Sequence, residues 1–250
     1  MRIAYDNLID AATAPTALTE DLLYPIENVQ NQRLSKRWRS TAATSQTVVV
    51  DLGSAQAVDT IAILGHSLTT SAVVSIDAHS SDSWGSPSWT TSLTALTGPI
   101  LKYLAAAQTY QYWRFNLSDA SAATTYIEAG RLWLGTKIAI DPSSLYNFSV
   151  TKRRSDTVTY GRDRQKYATE GVGWRSFSLS FPKTGGSALT NILTMYDEVG
   201  NHSSMIFCNF DTTRSYTIVE PCYVSIVGDI NFNHTRAQKY TWNLELEEDR

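Results

Sequence analysis

A mainly β fold in two parts is what this sequence predicts, and three observations predict it. From Thr47 onward, short runs of β-branched, aliphatic and aromatic residues recur between Ser, Thr, Gly, Asp and Pro, the punctuation of a sandwich or barrel. The aromatic residues are weighted to Tyr and Trp, 13 and 7 against 7 Phe, side chains that suit half-buried sheets and interfaces. Only one segment of convincing length, Ser187 to Val199, has helical periodicity. With 250 residues, 42% of them hydrophobic, the chain has material for one large or two modest cores.

In the first part the predicted strands are Val48 to Val50, Thr60 to Leu64, Val73 to Ile76, Tyr112 to Leu117 and Tyr126 to Leu134. Leu101 to Ala107 fits a helical turn or a strand equally well. Near Ile140-Asp141-Pro142 the pattern changes. Pro142 restrains Asp141 away from helical backbone, and the Pro-Ser-Ser step after a closing strand marks a domain boundary, giving domains of 1–140 and 141–250.

The second part reads strand, strand, helix and then further strands. Phe148 to Thr151 and Val158 to Tyr160 begin it, and Trp174 to Phe181 alternates with period two, as a half-buried strand should. The helix, about 187–199, aligns Leu189, Ile192, Leu193 and Tyr196 on one face, with Ser187 as its cap and Gly200 as its stop. Met205 to Phe210, Tyr216 to Val219, Tyr223 to Ile230 and Tyr240 to Leu246 follow as strands. The last points Trp242, Leu244 and Leu246 one way and runs into Glu247-Glu248-Asp249.

Three stretches together resemble a known family. They are Tyr24 to Gly65, including Trp38-Arg39-Ser40; Tyr112-Trp113-Arg114-Phe115; and Ile127 to Gly135, and in that order they resemble a discoidin-like β-sandwich over roughly the first 140 residues. That resemblance implies binding or scaffolding without catalysis, and it implies that Trp38 and Trp89 pack inside the sandwich. The β-β-α-β-β-β order of the second part, closing on Trp242-Asn243-Leu244-Glu245-Leu246-Glu247-Glu248, resembles the tail-tube-like domain of long-tailed bacteriophage tails. The pairing of the two implies a structural tail-tip protein of the virion. Such a chain is made in the host cytoplasm, builds or braces a ring of identical copies among other tail proteins, and serves host attachment.

Charge and motifs narrow the chemistry. Only 18% of residues are charged and the net charge is −3, so no overall electrostatic drive toward nucleic acid or anionic membrane is expected. The opening MRIAYDNLID has one basic residue and no apolar run, so a secretory signal is not expected; no run reaches membrane-spanning length. On that expectation the Asn-x-Ser/Thr triplets at Asn116, Asn147, Asn201 and Asn233 are chance matches. Cys208 and Cys222 are too few for a disulfide framework or a Cys-rich zinc site. No nucleophile elbow, phosphate-cradling loop or zinc-protease motif is present, and the expectation is that the chain is not an enzyme and holds no cofactor. Asp59, Asp77, Glu128 and Asp229 lie near predicted strands and are read as solvated strand-end carboxylates rather than a glycosidase pair.

Two sets of candidate residues remain. For ligand binding, Trp84 stands among small polar residues in Ser80 to Trp89, so nothing local enforces its burial. Arg39 flanks Trp38, and His66 follows Gly65 at the end of a core strand, as a turn residue satisfied by backbone or as a ligand contact. The four histidines have no metal-ligand spacing, and no metal site is expected. Because some discoidin-like modules hold calcium in an N-terminal loop, that resemblance points to Asp6, Asn7 and Asp10 as oxygen ligands, without a diagnostic spacing. For oligomer contacts, Arg153, Arg154, Arg162 and Arg164 form a basic stretch broken by acids, a poor nucleic-acid patch. Its expected mate is an acidic surface on a neighbouring copy, with Glu247 and Glu248 the candidates. The alternative function is a carbohydrate-binding adhesion module built on the first domain, with host-surface glycan as its partner.

Overall fold

A computed structural model describes residues 1–140, 148–184, 186–208, 221–236 and 239–249. The chain is mainly β, as its sequence predicts, and divides into two compact units. One comprises Ile3–Ile138; the other comprises Ala139–Asp249 together with Met1–Arg2. The expected strand Tyr216 to Val219 and the Asp141-Pro142 step lie outside the described residues.

The chain opens with β1 (Arg2–Ala4), a short helix α1 (Leu8–Ala11), β2 (Thr16–Ala17), a 3-10 turn (Ile26–Gln30) and β3 (Trp38–Arg39). Then come β4 (Gln46–Leu64), β5 (Val73–His79), β6 (Trp89–Leu93), β7 (Ile100–Ser118), β8 (Glu128–Ala129), β9 (Arg131–Gly135) and β10 (Ile138–Ala139). The main sheet runs β2-β4-β7-β5-β6, β9 pairs the far end of β4, and β3 pairs β8. The runs predicted at Val48 to Val50 and Thr60 to Leu64 are one 19-residue strand, and β7 is equally long, absorbing Leu101 to Ala107 as strand.

Straight, a ribbon of that length would span about 60 Å. Yet Val48 and Val50 from one end of β4 and Ile61 and Ile63 from the other belong to one buried cluster with Trp113, Phe115, Leu132 and Leu134. The ribbon therefore folds over on itself to make both layers of a β-sandwich. Its pairing shifts register between Asp51 and Gln56 and again between Val58 and Thr60, and Gly53 at that bend has φ +75°, backbone that a side chain would strain. Trp38 lies fully buried in this core, while Trp89 packs edge-on against Trp113 at 5.7 Å between ring centres.

The C-terminal unit contains β11 (Phe148–Arg154), β12 (Thr157–Tyr160), β13 (Lys166–Thr169), β14 (Gly173–Thr184), α2 (Ser187–Val199), β15 (Ser204–Cys208), β16 (Cys222–Ile226), β17 (Phe232–Arg236) and β18 (Lys239–Glu248). Its sheet includes the run β15-β16-β18-β14-β11, with β17 also on β18. Trp242, Leu244 and Leu246 point inward as predicted and stand opposite Phe181, Leu179 and Phe177. The Phe181 and Trp242 rings stack at 3.9 Å, and the Trp242 indole N–H donates to Thr184 Oγ1 at 2.9 Å. Cys208 and Cys222 are both buried.

Helix α2 has the predicted span but a rotated face. Ile192, Met195 and Val199 are the buried stripe, while Leu193 is 41% exposed. The cap is Gly186 rather than Ser187, which is already helical, and Gly200 stops the helix at φ +50° with its N–H on Tyr196 O. The strands β12 and β13 form a two-stranded ribbon of their own, pairing Thr157 with Thr169 through Tyr160 with Lys166, and every residue in them is exposed.

Candidate ligand-binding site

The site is built on the outward face of β5 and β7. In β7 the buried Trp113, Phe115 and Leu117 alternate with Tyr112, Arg114 and Asn116, so the latter three point away from the core. Residues directly opposite in an antiparallel pair share a face. Tyr112 therefore lies between Asp51 of β4 and His79 of β5, with Arg114 beside Asp77 and Asn116 beside Ser75.

Asp77 is the hub. Arg114 donates to its Oδ2 from Nη2 at 2.6 Å and from Nε at 3.2 Å, and Asn116 Nδ2 donates to the same oxygen at 2.8 Å. Only 6% of Asp77 is exposed. Burial pushes its carboxyl up, but the hydrogen bonds from Arg114, Asn116 and Thr90 outweigh it and leave the group below the ordinary aspartate range. Three other carboxylates expected to be solvated are likewise engaged: Asp59 pairs with Lys137 at 2.9 Å, Glu128 with Arg37 and Arg39, and Asp229 accepts from the Tyr196 hydroxyl.

The loop after β5 brings Trp84 over this face. The Arg114 guanidinium lies 4.6 Å from the centre of the Trp84 ring, and the indole N–H donates to Asp82 Oδ1 at 2.6 Å. The Ser81 N–H donates to His79 Nδ1 at 3.0 Å and anchors the start of the loop. Arg114 is thus held between a carboxylate and an indole. Trp84 in turn keeps one fixed attitude while part of its surface stays open to solvent. An indole of fixed attitude amid amide, guanidinium, hydroxyl and carboxylate groups is equipped to bind a flat-faced polar molecule.

Two carboxylates border the same face. Asp51 accepts from Gln111 Nε2 and from the Gly53 N–H, both at 2.8 Å, and these bonds hold it below its usual value. Partial burial and the nearby Asp51 and Asp82 push the Tyr112 phenol up.

His66 and Arg39 have contacts that share no residue with those of Trp84. His66 Nδ1 accepts from the Leu68 N–H at 3.1 Å, so Nε2 carries the proton and donates to Gly98 O at 2.9 Å. Arg39 grips Glu128 at 2.7 Å and 2.9 Å, with Tyr24 and Tyr126 rings 4.0 Å and 4.3 Å from its guanidinium. Arg37 adds a third bond to Glu128 at 2.9 Å. This cluster ties β3 to β8. Asn7 and Asp10 are also committed: Asn7 bonds backbone of Ile9, Leu132 and Leu134, and Asp10 pairs with Arg131, which is 1% exposed. The Asp10 carboxylate is therefore already paired with a cationic side chain. Among the described residues no group of three or more His, Cys, Asp or Glu is arranged to hold a metal, and no helix is long and apolar enough to cross a membrane.

In the C-terminal unit the proposed contact residues separate into two classes. Arg153 donates to Ser176 Oγ, Arg154 pairs with Asp156 and Glu170, Glu247 accepts from the Trp174 indole, and Glu248 takes the Arg175 guanidinium in two bonds and its backbone N–H in a third. Arg162 and Arg164 are instead exposed in the turn joining β12 to β13. Of the acidic candidates, Glu248 is thus paired with a cation of its own chain, whereas Glu247 is met there by a neutral indole.

Comparison with known proteins gives no matching family model and no matching curated protein. Among solved structures, a variant of chitosan-binding module 1 from a Paenibacillus sp. IK-5 chitosanase/glucanase is 22% identical, covering 53% of this chain and 99% of that one at a TM-score of 0.41. Chitosan-binding module 2 of the same enzyme, in complex with chitotriose, is 19% identical over 52% of this chain and 100% of its own, with a TM-score of 0.43. The family 32 carbohydrate-binding module of C. perfringens NanJ, in complex with galactose, is 13% identical over 55% and 100%, also at 0.43.

The setting of Trp84 is not apparent from its own neighbours in the chain. The signal was present in Tyr112-Trp113-Arg114-Phe115-Asn116-Leu117, whose alternation turns a charged residue outward in mid-strand.

Proposed function

We propose that the N-terminal unit is a non-catalytic carbohydrate-recognition module that binds a sugar on the Trp84 face. The observation that carries this reading is the part-open indole, fixed by Arg114 and Asp82 over a sheet face of hydrogen-bonding side chains. A sugar offers an apolar ring face and a rim of hydroxyls, and this arrangement answers both. Trp84→Ala is expected to weaken glycan binding by about 2 kcal/mol, roughly thirtyfold. Its thermal midpoint should move by no more than about 3 °C, because only an exposed cation–π contact and one hydrogen bond are lost. Glycan-array binding followed by calorimetry checks both, and a wild-type protein that binds no glycan overturns the proposal.

The second reading is a structural component of a long-tailed bacteriophage tail tip, carried in the virion and ringed with copies of itself among other tail proteins. It is favoured by one observation. The ribbon β12–β13 exposes both of its faces, Val158 and Tyr160 on one and Tyr167 on the other, and a lone two-stranded ribbon is marginally stable in water. A neighbouring copy would cover it. The two readings are compatible, the sugar site then serving attachment to a host surface.

A further inference from the structure

The sugar face carries an excess of negative charge, and the excess lies toward solvent. Arg114 and Asp77 cancel each other in a short ion pair. Asp51 and Asp82 remain. Their hydrogen-bond donors are neutral: Gln111 and the Gly53 N–H for Asp51, the Trp84 indole for Asp82. Asp51 stands opposite Tyr112, Tyr112 shares its face with Arg114 two residues on, and Arg114 lies against the indole that Asp82 orients, so the two carboxylates flank one stretch of the face.

On the footing of the recognition reading above, we propose that the ligand is a cationic amino sugar, its ring against Trp84 and its ammonium toward Asp82 and Asp51. The same two carboxylates disfavour uronic acids and other anionic sugars by like-charge repulsion. Acetylating the amine keeps the ring and the stacking surface but removes the charge, so it isolates this contribution. An exposed ammonium–carboxylate contact is worth about two- to fivefold in affinity, and two such contacts about tenfold, all of it sensitive to salt.

The test is calorimetry on the full chain with glucosamine, N-acetylglucosamine and uronic-acid oligomers of equal length, at slightly acid pH, in low and high salt. The expected result is about tenfold tighter binding of the glucosamine oligomer than of its acetylated counterpart at low salt, with the ratio shrinking toward one at high salt. The uronic oligomer should bind weakest. In a protein carrying Asp51→Asn and Asp82→Asn the ratio should fall close to one; the salt dependence of the wild type gives the same information should that variant fold poorly. Equal or tighter binding of the acetylated or uronic oligomer, with Trp84→Ala still weakening it, overturns the charge selectivity and leaves the recognition reading standing. A ratio that survives the double substitution overturns it too. Failure to bind any glycan removes both.

Discussion

The ring of His66 is held in a single tautomer by two backbone groups, and that has a measurable cost on acidification. Burial, its largest influence, lowers the tendency of the ring to take a second proton, while the bond to the Gly98 carbonyl works the other way without overcoming it. The folded value therefore lies below the ordinary value of about 6.5 that the unfolded chain keeps. Stability from this residue is complete above about pH 6.5 and is lost as pH falls from there through the lowered folded value. Urea midpoints taken from about pH 7.5 down to about pH 5 should decline, and His66→Gln should flatten the decline; an unchanged slope in the variant would show that another group is responsible. At this scale the sequence was partly legible. The small polar neighbours of Trp84 showed that nothing local buried it, but Asp77, Arg114 and Asn116 meet only through pairing between strands far apart in the chain.

Among elements, the junction of β8 and β9 shows how little room the sandwich leaves. The Gly130 N–H donates to Leu64 O at 3.0 Å, and a Cβ built on Gly130 would stand 2.6 Å from the backbone oxygen of Leu34. Backbone cannot swing aside as a side chain can. Gly130→Ala should therefore cost about 1–3 kcal/mol, read as a lower thermal midpoint with unaltered strand content; a midpoint equal to wild type would mean that the Leu34 loop yields freely. Strands with alternating or continuous apolar residues, such as Trp174 to Phe181 and Tyr240 to Leu246, were legible because burial imposes their period. Three were not. Lys166–Thr169 is exposed throughout, and Trp89–Leu93 and Phe232–Arg236 are rich in Ser, Thr, Asn or His, so no periodic apolar pattern sets them apart. The helix face was misjudged by one step because Leu193 looked apolar enough to point inward, whereas Met195 and Val199 complete the stripe with Ile192.

The two proposed readings place their partners in different units, so they separate in experiment. If copies assemble through the β12–β13 ribbon, Arg162→Glu together with Arg164→Glu should abolish the oligomer in sedimentation while leaving the thermal midpoint within about 2 °C, since both side chains are exposed. A wild-type chain that sediments as a monomer at every concentration would sink the ring. Arg153 and Arg154 are poorer choices, being bonded to Ser176, Asp156 and Glu170 in their own chain. The folded-over ribbon of β4 and β7 bears on something else, the order in which the N-terminal unit acquires structure. Its pairing begins at Ile63 with Ile100 and ends at Gln46 with Leu117. Loop closure is least costly where the intervening chain is shortest, so the Ile63–Ile100 end zips first and the Gln46–Leu117 end last. Arg114 and Tyr112 lie toward that last end, and β5 docks on the same stretch of β7. Yet the pairs with β5 that carry the Trp84 face, Asp77 with Arg114 and His79 with Tyr112, close loops no longer than the Ile63–Ile100 end, so by the same criterion this face forms without waiting for the Gln46–Leu117 end.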